Sequence, residues 1–231
     1  MAIKLLTFDL DNTLWHTDPV IVRAEQVQWQ WIEKLSPTVH DYFTPDLLQK
    51  LKLQIAQQNP DLRHKLSKLR LAFLKQVFIN CGEPLEQAEL FAQRAFDEFL
   101  LARNQVELFP GALPLLEALQ QDYQVIALSN GNSDLSKIGL GHLFKAHFHA
   151  ENVDRPKPNH DMFLAALEHA RVDASESLHI GDHPQQDIEA AKQLGFKTVW
   201  SNILQQEWPA TVAPADHEIN HLDQLIPLLN Q

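Results

Sequence analysis

The sequence has few of the residues that mark several common protein classes. It contains one cysteine, Cys81, so no disulfide can form within the chain, and we expect a reducing compartment. No apolar run approaches the roughly 18 residues that would suggest a membrane helix. The N-terminal segment, one lysine and a short apolar run that stops at an acidic residue, is not that of a signal peptide. We therefore expect a cytoplasmic protein that does not bind membranes.

Basic residues are also scarce. There are 19 lysines and arginines against 30 aspartates and glutamates, which gives a net charge of −11. This balance argues against a broad surface for nucleic acid, and we expect no nucleic-acid partner. Hydrophobic residues make up 45% of the 231 residues, enough to build the core of one large domain or two small ones. The sequence leaves the oligomeric state open.

The spacing of the hydrophobic residues differs between two parts of the chain. Residues 3–8 are an apolar, strand-like run, whereas residues 18–103 place apolar residues at three- and four-residue steps and predict four helices. Beyond this region strands and helices alternate, with strands predicted at 124–130, 177–182, 197–200 and 216–220. We therefore predict an α/β fold with a Rossmann-like parallel sheet core, at 1–15 and 108–231, and an inserted all-α domain at 16–107.

Polar residues follow three of the predicted strands. Asp9 and Asp11 follow the first strand, Ser129 and Asn130 follow the second, and Asp182 follows a later one. Parallel strands place these ends on one rim of the sheet, where the carboxylates converge. Two such charges about 4 Å apart repel by roughly 4 kcal/mol at an effective dielectric near 20. A divalent cation would relieve this repulsion, and oxygen ligands favour a hard ion such as Mg²⁺.

A lysine between two prolines, Lys157, supplies the opposite charge. The prolines restrict the backbone on both sides and so fix the direction of the lysine. Lys157, Ser129 and the loop amides around Asn130 and Gly131 would suit a phosphoryl group. Carboxylates, Mg²⁺ and phosphate-binding groups together indicate phosphoryl transfer.

Four motifs carry a family resemblance. FDLDNTLW at 8–15, LSNGN at 128–132, RPKP at 155–158 and IGDHPQQD at 180–187 are similar in order and spacing to the four motifs of the haloacid dehalogenase-like (HAD) hydrolase superfamily. The resemblance covers the whole chain, and the insertion at 16–107 looks like the small α-helical cap of that family. It implies a Mg²⁺-dependent phosphatase that hydrolyses a small phosphorylated metabolite, a phosphate monoester, through an aspartyl-phosphate.

The resemblance implies a role for each matching residue. Asp9 would be the nucleophile and Asp11 the general acid and base, with Ser129 and Lys157 also catalytic. The metal would be held by the Asp9 carboxylate, the Asp11 backbone carbonyl and the Asp182 carboxylate. The residues implied to bind the phosphate are Asn12, Ser129, Asn130, Gly131 and Lys157. Two further residues would support the site without touching the substrate: Thr13 and Asp187.

Some positions bear on the subfamily and the substrate. His183 stands where many members carry a second acidic residue. Dehalogenase members need no metal and lack the second aspartate, so Asp11 and Asp182 favour phosphate esters over carbon–halogen bonds. The chain is similar to bacterial flavin mononucleotide (FMN) phosphatases of the YigB type, which implies FMN or the phosphorylated ribitylamino-uracil of riboflavin synthesis as substrate. In the cap, Arg70 is the expected substrate contact.

Other interpretations are open. The same motifs and cap occur in phosphomutases that act on a sugar phosphate, and a chain with this fold could be a catalytically silent metabolite-binding module. The basic stretch around Arg70 could be a solvated helix face. A zinc site at His142, His147 and His149 is disfavoured, because their spacing fits no tight metal pattern.

Overall fold

The computed structural model describes residues 2–153 and 155–230. The chain divides into two compact units. The first, the α/β unit, consists of Met1–Thr17 and Val106–Gln231, and the second, the helical unit, is Asp18–Gln105. The single segment of the helical unit thus lies between two segments of the α/β unit in the sequence.

The α/β unit is built on one six-stranded sheet in which every neighbouring pair of strands is parallel. The strand order is β3-β2-β1-β4-β5-β6, so β1 lies between β2 and β4. All four residues of β1 are buried, as expected for a strand covered on both faces. The predicted Rossmann-like α/β fold is confirmed. The strands are β1 Leu5–Phe8, β2 Gln124–Ser129, β3 Ala146–His149, β4 Ser177–Gly181, β5 Lys197–Ser201 and β6 His217–Ile219.

Four long helices and one short helix form the helical unit. Thr44 caps one long helix by accepting a hydrogen bond from the Leu47 amide, and Pro45 occupies its first turn. The predicted helix from Pro60 begins instead at Leu66, because residues 60–62 form a separate 3₁₀ turn. The helices are α1 Thr17–Leu35, α2 Val39–Tyr42, α3 Pro45–Gln58, α4 Leu66–Asn80 and α5 Leu85–Arg103.

Among its described residues, the α/β unit contains five α-helices and a π-helical segment, Pro184–Glu189. The side chains of Met162 and Phe163 belong to the same buried cluster as Ile126 and Leu128 of β2. The predicted single helix at 184–196 is divided between the π-helical segment and α9. The helices are α6 Ala112–Asp122, α7 Leu135–Ile138, α8 Asp161–Ala170, α9 Ala190–Gln193 and α10 Leu225–Leu229.

One strand, β3, was absent from the sequence prediction. It lies at the edge of the sheet, and each of its four residues is only half-buried. The segment AHFH therefore has no continuous apolar run of the kind that identified β1 and β2. Across the described residues, no helix is long and apolar enough to cross a membrane.

Candidate active site

The carboxyl ends of β1, β2 and β4 meet on one rim of the sheet. The backbone amide of Asp9 donates to the Ile180 carbonyl at 2.8 Å, which extends the pairing of β1 with β4 by one residue. A cavity of about 160 Å³ opens at this rim. It is lined by residues from all three strand ends and the π-helical segment: Asp9, Asp11, Asn12, Ser129, Asn130, Gly131, Asp182, His183, Gln186 and Asp187. The structure therefore brings the acidic residues of the first and fourth motifs together with the loop of the second.

A buried lysine joins the third motif to this group. Lys157 is 3% exposed, and its Nζ lies 2.7 Å from Asp9 Oδ1 and 2.5 Å from Asp187 Oδ1. Burial alone would lower the pKa of Lys157, but the carboxylates of Asp187 and Asp9 raise it above its ordinary value. Lys157 therefore stays charged and neutralises part of the acidic cluster.

The backbone of Lys157 is clamped by a side chain from the second motif. Asn130 Oδ1 accepts a hydrogen bond from the Lys157 amide at 2.9 Å, and Asn130 Nδ2 donates to the Lys157 carbonyl at 2.8 Å. The same Nδ2 donates to Gln186 Oε1 at 2.8 Å. The Asn130 side chain thus links the second motif with the third and fourth motifs, in addition to lining the cavity.

Three carboxylates gather beside Lys157, since Asp9, Asp182 and Asp187 each place an oxygen within 4.8 Å of the others. Burial raises the pKa of Asp9 to about 7, although Lys157 opposes this shift. Burial and the charges of Asp9 and Asp187 raise the pKa of Asp182 to about 8. Burial is the largest cause of both shifts, and a cation bound between the two carboxyl groups would lower both pKa values.

The donor chemistry of this cluster fits a divalent cation. All three side chains offer only oxygen atoms, the ligands preferred by hard ions such as Mg²⁺. Asp187 is already engaged by three donors, Lys157 Nζ, His179 Nε2 and the His183 amide. Asp9 and Asp182 are therefore the carboxylates best suited to hold a metal, and Asp187 is suited to orient Lys157. Among the residues that the structure describes, this is the single metal-compatible cluster of acidic, histidine or cysteine side chains, and it leaves out the three histidines considered for zinc.

The turn after Asp9 fixes the second aspartate. Asp11 Oδ1 accepts hydrogen bonds from Trp15 Nε1 at 2.9 Å and from Thr17 Oγ1 at 2.7 Å. Asn12 adopts a left-handed backbone conformation with φ of 63°, which asparagine tolerates better than most residues. The Thr13 hydroxyl donates to Asp9 Oδ2 at 3.2 Å and so helps to orient the Asp9 carboxylate.

The loop after β2 forms another wall of the cavity. Ser129 is buried, and its Oγ accepts a hydrogen bond from the Gly131 amide at 2.9 Å. The Ser129 hydroxyl and the Gly131 amide thus lie on the same rim as Asp9, and their binding of phosphate stays a prediction. His183 caps the π-helical segment, because its Nδ1 accepts hydrogen bonds from the amides of Gln185 and Gln186.

Arg70 belongs to the helical unit, and its described contacts are all within that unit. Its guanidinium donates to Gln28 Oε1 and to Glu25 Oε1, each at 3.2 Å, and lies 3.8 Å from the centre of the Phe99 ring. Burial lowers the pKa of Arg70 more than Glu25 raises it. These contacts position the guanidinium, and its expected role in binding substrate stays a prediction.

Sequence reasoning missed three residues of this site. Trp15 donates a hydrogen bond to Asp11, and Gln186 supports the Asn130 clamp. His179 is fully buried in β4 and contacts Asp187. A polar residue inside the apolar run SLHIG was the available signal, since a buried polar side chain requires a partner.

With the geometry in place, comparison with known proteins decides the family. The family described as "Hydrolase: haloacid dehalogenase-like hydrolase" matches residues 3–195. The chain belongs to the haloacid dehalogenase-like hydrolase family. Its sequence is 29% identical over 231 residues to the 5-amino-6-(5-phospho-D-ribitylamino)uracil phosphatase YigB of Escherichia coli K12, covering 98% of this chain and 96% of that protein. It is also 33% identical over 125 residues to the pyrimidine 5'-nucleotidase YjjG of the same organism, covering 51% of this chain and 56% of YjjG.

A solved structure of similar shape carries a different activity in its name. A 2-haloacid dehalogenase from Pseudomonas syringae pv. tomato DC3000 is 36% identical, with a TM-score of 0.93, and the match covers 99% of this chain and 98% of that one. The family match and the phosphatases among the relatives confirm the predicted HAD-like phosphatase class and the resemblance to YigB. The roles of the individual site residues stay predictions.

Proposed function

We propose that the protein hydrolyses a small phosphate monoester, with Asp9 as nucleophile and Asp11 as general acid and base. The observation that supports this most strongly is the buried contact between Lys157 Nζ and Asp9 Oδ1, 2.7 Å long. A stabilising role alone gives no reason to bury Asp9 beside Asp182 and Asp187 at the mouth of a cavity, because like charges repel. A catalytic role explains this arrangement, because a nucleophile must lie where it can reach the phosphorus of a bound phosphate.

The reaction has two steps. An oxygen of Asp9 attacks phosphorus, the bond from phosphorus to the ester oxygen breaks, and Asp11 gives its proton to the departing alcohol. Water then attacks the phosphorus of the aspartyl-phosphate and loses a proton to Asp11, which releases inorganic phosphate and restores the Asp9 carboxylate. The hydrogen bonds from Trp15 and Thr17 orient Asp11 for both proton transfers.

Positive charge and hydrogen-bond donors stabilise the phosphoryl group during both steps. Lys157 would offset the charge that develops on the phosphoryl oxygens, and the Ser129 hydroxyl and the Asn130 amide would donate to them, while the Gly131 amide orients the Ser129 hydroxyl. The Asp9 and Asp182 carboxylates and the Asp11 carbonyl would hold Mg²⁺. When bound, Mg²⁺ supplies charge neutralisation to the carboxylates and to the phosphate.

The cavity size bears on the substrate. Its volume of about 160 Å³ is below the roughly 300–1,000 Å³ of pockets that enclose a whole small molecule. It therefore suits the phosphate group, and recognition of the remainder would fall to residues outside the cavity. The similarity to YigB supports 5-amino-6-(5-phospho-D-ribitylamino)uracil or FMN as substrate, with the helical unit setting specificity and Arg70 contacting the substrate.

Dehalogenation is a second candidate because of the 2-haloacid dehalogenase structure at 36% identity. The presence of Asp11 and Asp182 weighs against it. A departing halide needs no proton, so a dehalogenase has no use for Asp11 as an acid, and its substrate carries no phosphate whose charge a metal held by Asp182 would neutralise. A phosphomutase is distinguished by its products, because it moves the phosphate within a sugar without releasing it.

A substrate panel tests the proposal. Purified protein with MgCl₂ is supplied with FMN, the ribitylamino-uracil phosphate, a pyrimidine nucleotide, a sugar phosphate, p-nitrophenyl phosphate and 2-chloropropionate, while free phosphate and chloride are measured. We expect phosphate release from the esters and no chloride. Chloride release without phosphate release would replace the proposal by dehalogenation, and an isomerised sugar phosphate would replace it by a mutase.

Two variants connect the activity to the site. Asp9→Asn removes the nucleophile and should abolish phosphate release, whereas Asp122→Asn, an exposed position at the end of α6, should leave it unchanged. Undiminished turnover by Asp9→Asn would refute the assignment. Binding of a phosphate ester without turnover of any member of the panel would favour the catalytically silent module.

A further inference from the structure

A buried histidine lies behind the proposed catalytic residues. His179 is fully buried in β4, in register with Thr7 of β1. Its Nδ1 is 2.8 Å from the Thr7 hydroxyl oxygen, and its Nε2 is 3.1 Å from Asp187 Oδ1. The two mechanistic steps above do not use this side chain, yet both of its nitrogens have partners.

The partners determine where the imidazole proton lies. The Asp187 carboxylate accepts from Lys157 Nζ and from the His183 amide, so it acts as an acceptor toward His179 as well. His179 therefore carries its proton on Nε2 and donates to Asp187, while Nδ1 accepts from the Thr7 hydroxyl. Burial lowers the pKa of His179 despite the neighbouring Asp187, in agreement with a neutral ring.

Packing holds the ring and the carboxylate in place. The Phe163 ring lies edge-on to the imidazole, with centroids 4.9 Å apart and an interplanar angle of 77°. Asp187 lies so close to β4 that a Cβ at Gly181 would be 2.4 Å from Asp187 Cγ. Burial raises the pKa of Asp187, but Lys157 and His179 more than compensate and keep it below its ordinary value. Asp187 is thus ionised and confined by contacts on several sides.

We propose that His179 is a positioning residue, which orients Asp187 through one hydrogen bond so that Asp187 holds the Lys157 ammonium against Asp9. This inference rests on the proposed function, because it treats Asp9 and Lys157 as catalytic. The chain of contacts runs from Thr7 through His179, Asp187 and Lys157 to Asp9. His179 itself is not among the residues that line the cavity.

Three substitutions separate hydrogen bonding from packing. In His179→Gln the amide nitrogen can replace Nε2 as donor to Asp187, whereas His179→Asn is too short to reach it and His179→Phe keeps only the ring. We expect kcat to fall about 10- to 100-fold in the asparagine and phenylalanine variants, with KM changed little, because a lost supporting hydrogen bond typically has this effect. The glutamine variant should retain kcat within a few-fold of the wild type.

Two milder substitutions at Thr7 test the same inference even if the His179 variants unfold. Thr7→Val removes the hydroxyl that orients the imidazole and should lower kcat, whereas Thr7→Ser should not. Equal losses of kcat in His179→Gln and His179→Phe, at equal melting temperature, would overturn the proposal. Equal kcat in Thr7→Val and Thr7→Ser would do the same.

A measurement without turnover distinguishes this inference from the proposed function. Nitrogen-15 NMR of the histidine side chains in the wild-type protein should show His179 as the neutral Nε2–H tautomer, a state assigned by its loss in His179→Phe. A protonated ring, or the Nδ1–H tautomer, would refute the positioning role even in an active enzyme. Absence of phosphate release by the wild type would instead refute the proposed function and, with it, the role of His179 in turnover.

Discussion

The two units of the molecule differ in their balance of charged residues. The helical unit carries eleven basic and eleven acidic residues, whereas the rest of the chain carries eight basic and nineteen acidic ones. In the helical unit Glu25 pairs with both Arg70 and Lys52. In the α/β unit Asp9 and Asp187 both pair with one lysine, Lys157, and an Asp182 oxygen lies within 4.8 Å of oxygens of both carboxylates. The helical unit balances its own charges, whereas the α/β unit retains an excess that a bound cation would offset.

Burial separates the two units further. The Lys157 side chain is 1% exposed and that of its partner Asp187 is 2% exposed. The side chains of Arg70 and Glu25 are 21% and 41% exposed. Removing one member of a buried pair leaves the other charge uncompensated in a low dielectric, whereas water compensates a half-exposed one. Equivalent substitutions in the two units should therefore differ in their effect, which four predictions test.

The largest effect is expected from Lys157→Met. It removes the cation that we propose faces the phosphoryl group, and it leaves the carboxylates of Asp9 and Asp187 without their shared partner. We expect kcat for FMN or p-nitrophenyl phosphate to fall by about 1,000-fold or more. The free energy of unfolding should fall by about 3–5 kcal/mol, the usual result of breaking a buried pair. Steady-state kinetics and urea unfolding measure both quantities.

A matched control for this variant is Lys145→Met, because Lys145 is exposed in the same unit. It should change neither kcat nor stability measurably. If Lys157→Met retained more than a tenth of wild-type kcat, the lysine would have a structural role only, and the contrast between the units would not concern catalysis.

A smaller effect is expected from Asn130→Ala. This substitution removes both hydrogen bonds that clamp the Lys157 backbone, so the ammonium is less well placed beside Asp9. We expect kcat to fall about 10- to 100-fold. Gln186→Met, which removes only the support for Asn130, should lower kcat less. If kcat fell equally in Asn130→Ala and Gln186→Met, the loss of the hydrogen bonds to the Lys157 backbone would not be the cause of the lower kcat.

The fold, and the grouping of the candidate site residues on one rim, could be predicted because their signals are local or ordered along the chain. A fully buried strand such as β1 appears as a continuous apolar run, and each polar group at a strand end appears as a break in one. The rule that parallel strands align their carboxyl ends then joins Asp9, Ser129 and Asp182 without a structure. Lys157 was identified by its two flanking prolines.

The remaining features depend on contacts between distant residues. Asn130 was interpreted through its backbone amide, but its side chain bonds to Lys157, 27 residues away. His179 pairs with Thr7 only because β4 lies beside β1, and no pattern within either strand reveals this. The half-buried edge strand β3 has no apolar run to detect. Such contacts follow from the topology, and the sequence reveals them only after the topology is known.

The acidic excess of the α/β unit predicts a stability that depends on metal and pH. Asp9 and Asp182 have pKa values of about 7 and about 8, above their ordinary value of 3.8. Without metal the folded state therefore holds protons that the unfolded state loses above pH 4, and these groups stabilise the fold less as the pH rises toward 8. The melting temperature of the metal-free protein should fall between pH 5.5 and pH 8.5.

Magnesium should reverse this loss at the higher pH. A ligand at 100 times its dissociation constant stabilises the folded state by about 2.7 kcal/mol, or about 5–10 °C for a chain of this length. We expect this increase with MgCl₂ at pH 8.5, little increase at pH 5.5, and none in Asp182→Asn. Glu25 in the helical unit should show the opposite pH dependence, because Lys52 and Arg70 outweigh its burial and lower its pKa. Its contribution to stability is present above pH 4.5 and is lost as the pH falls below that value. A magnesium effect that is equal at both pH values would contradict a site made of these carboxylates.

The smallest effect is expected from Arg70→Met in the helical unit. The substitution removes the ion pair with Glu25 and the contact with the Phe99 ring, each typical of a partly exposed cation. We expect a loss of about 1 kcal/mol in the free energy of unfolding. The proposed contact of Arg70 with the substrate predicts an effect on KM for FMN, which we expect to rise several-fold while kcat stays within about twofold.

Comparison with two further variants separates these roles of Arg70. Glu25→Gln weakens the same ion pair but keeps the guanidinium, so it should lower stability without raising KM. Arg94→Met removes an exposed arginine of the same unit and should change neither quantity. If KM rose in each of the three variants in proportion to its loss of stability, the role of Arg70 would be structural. The helical unit would then recognise the substrate through other side chains, or would not take part in recognition.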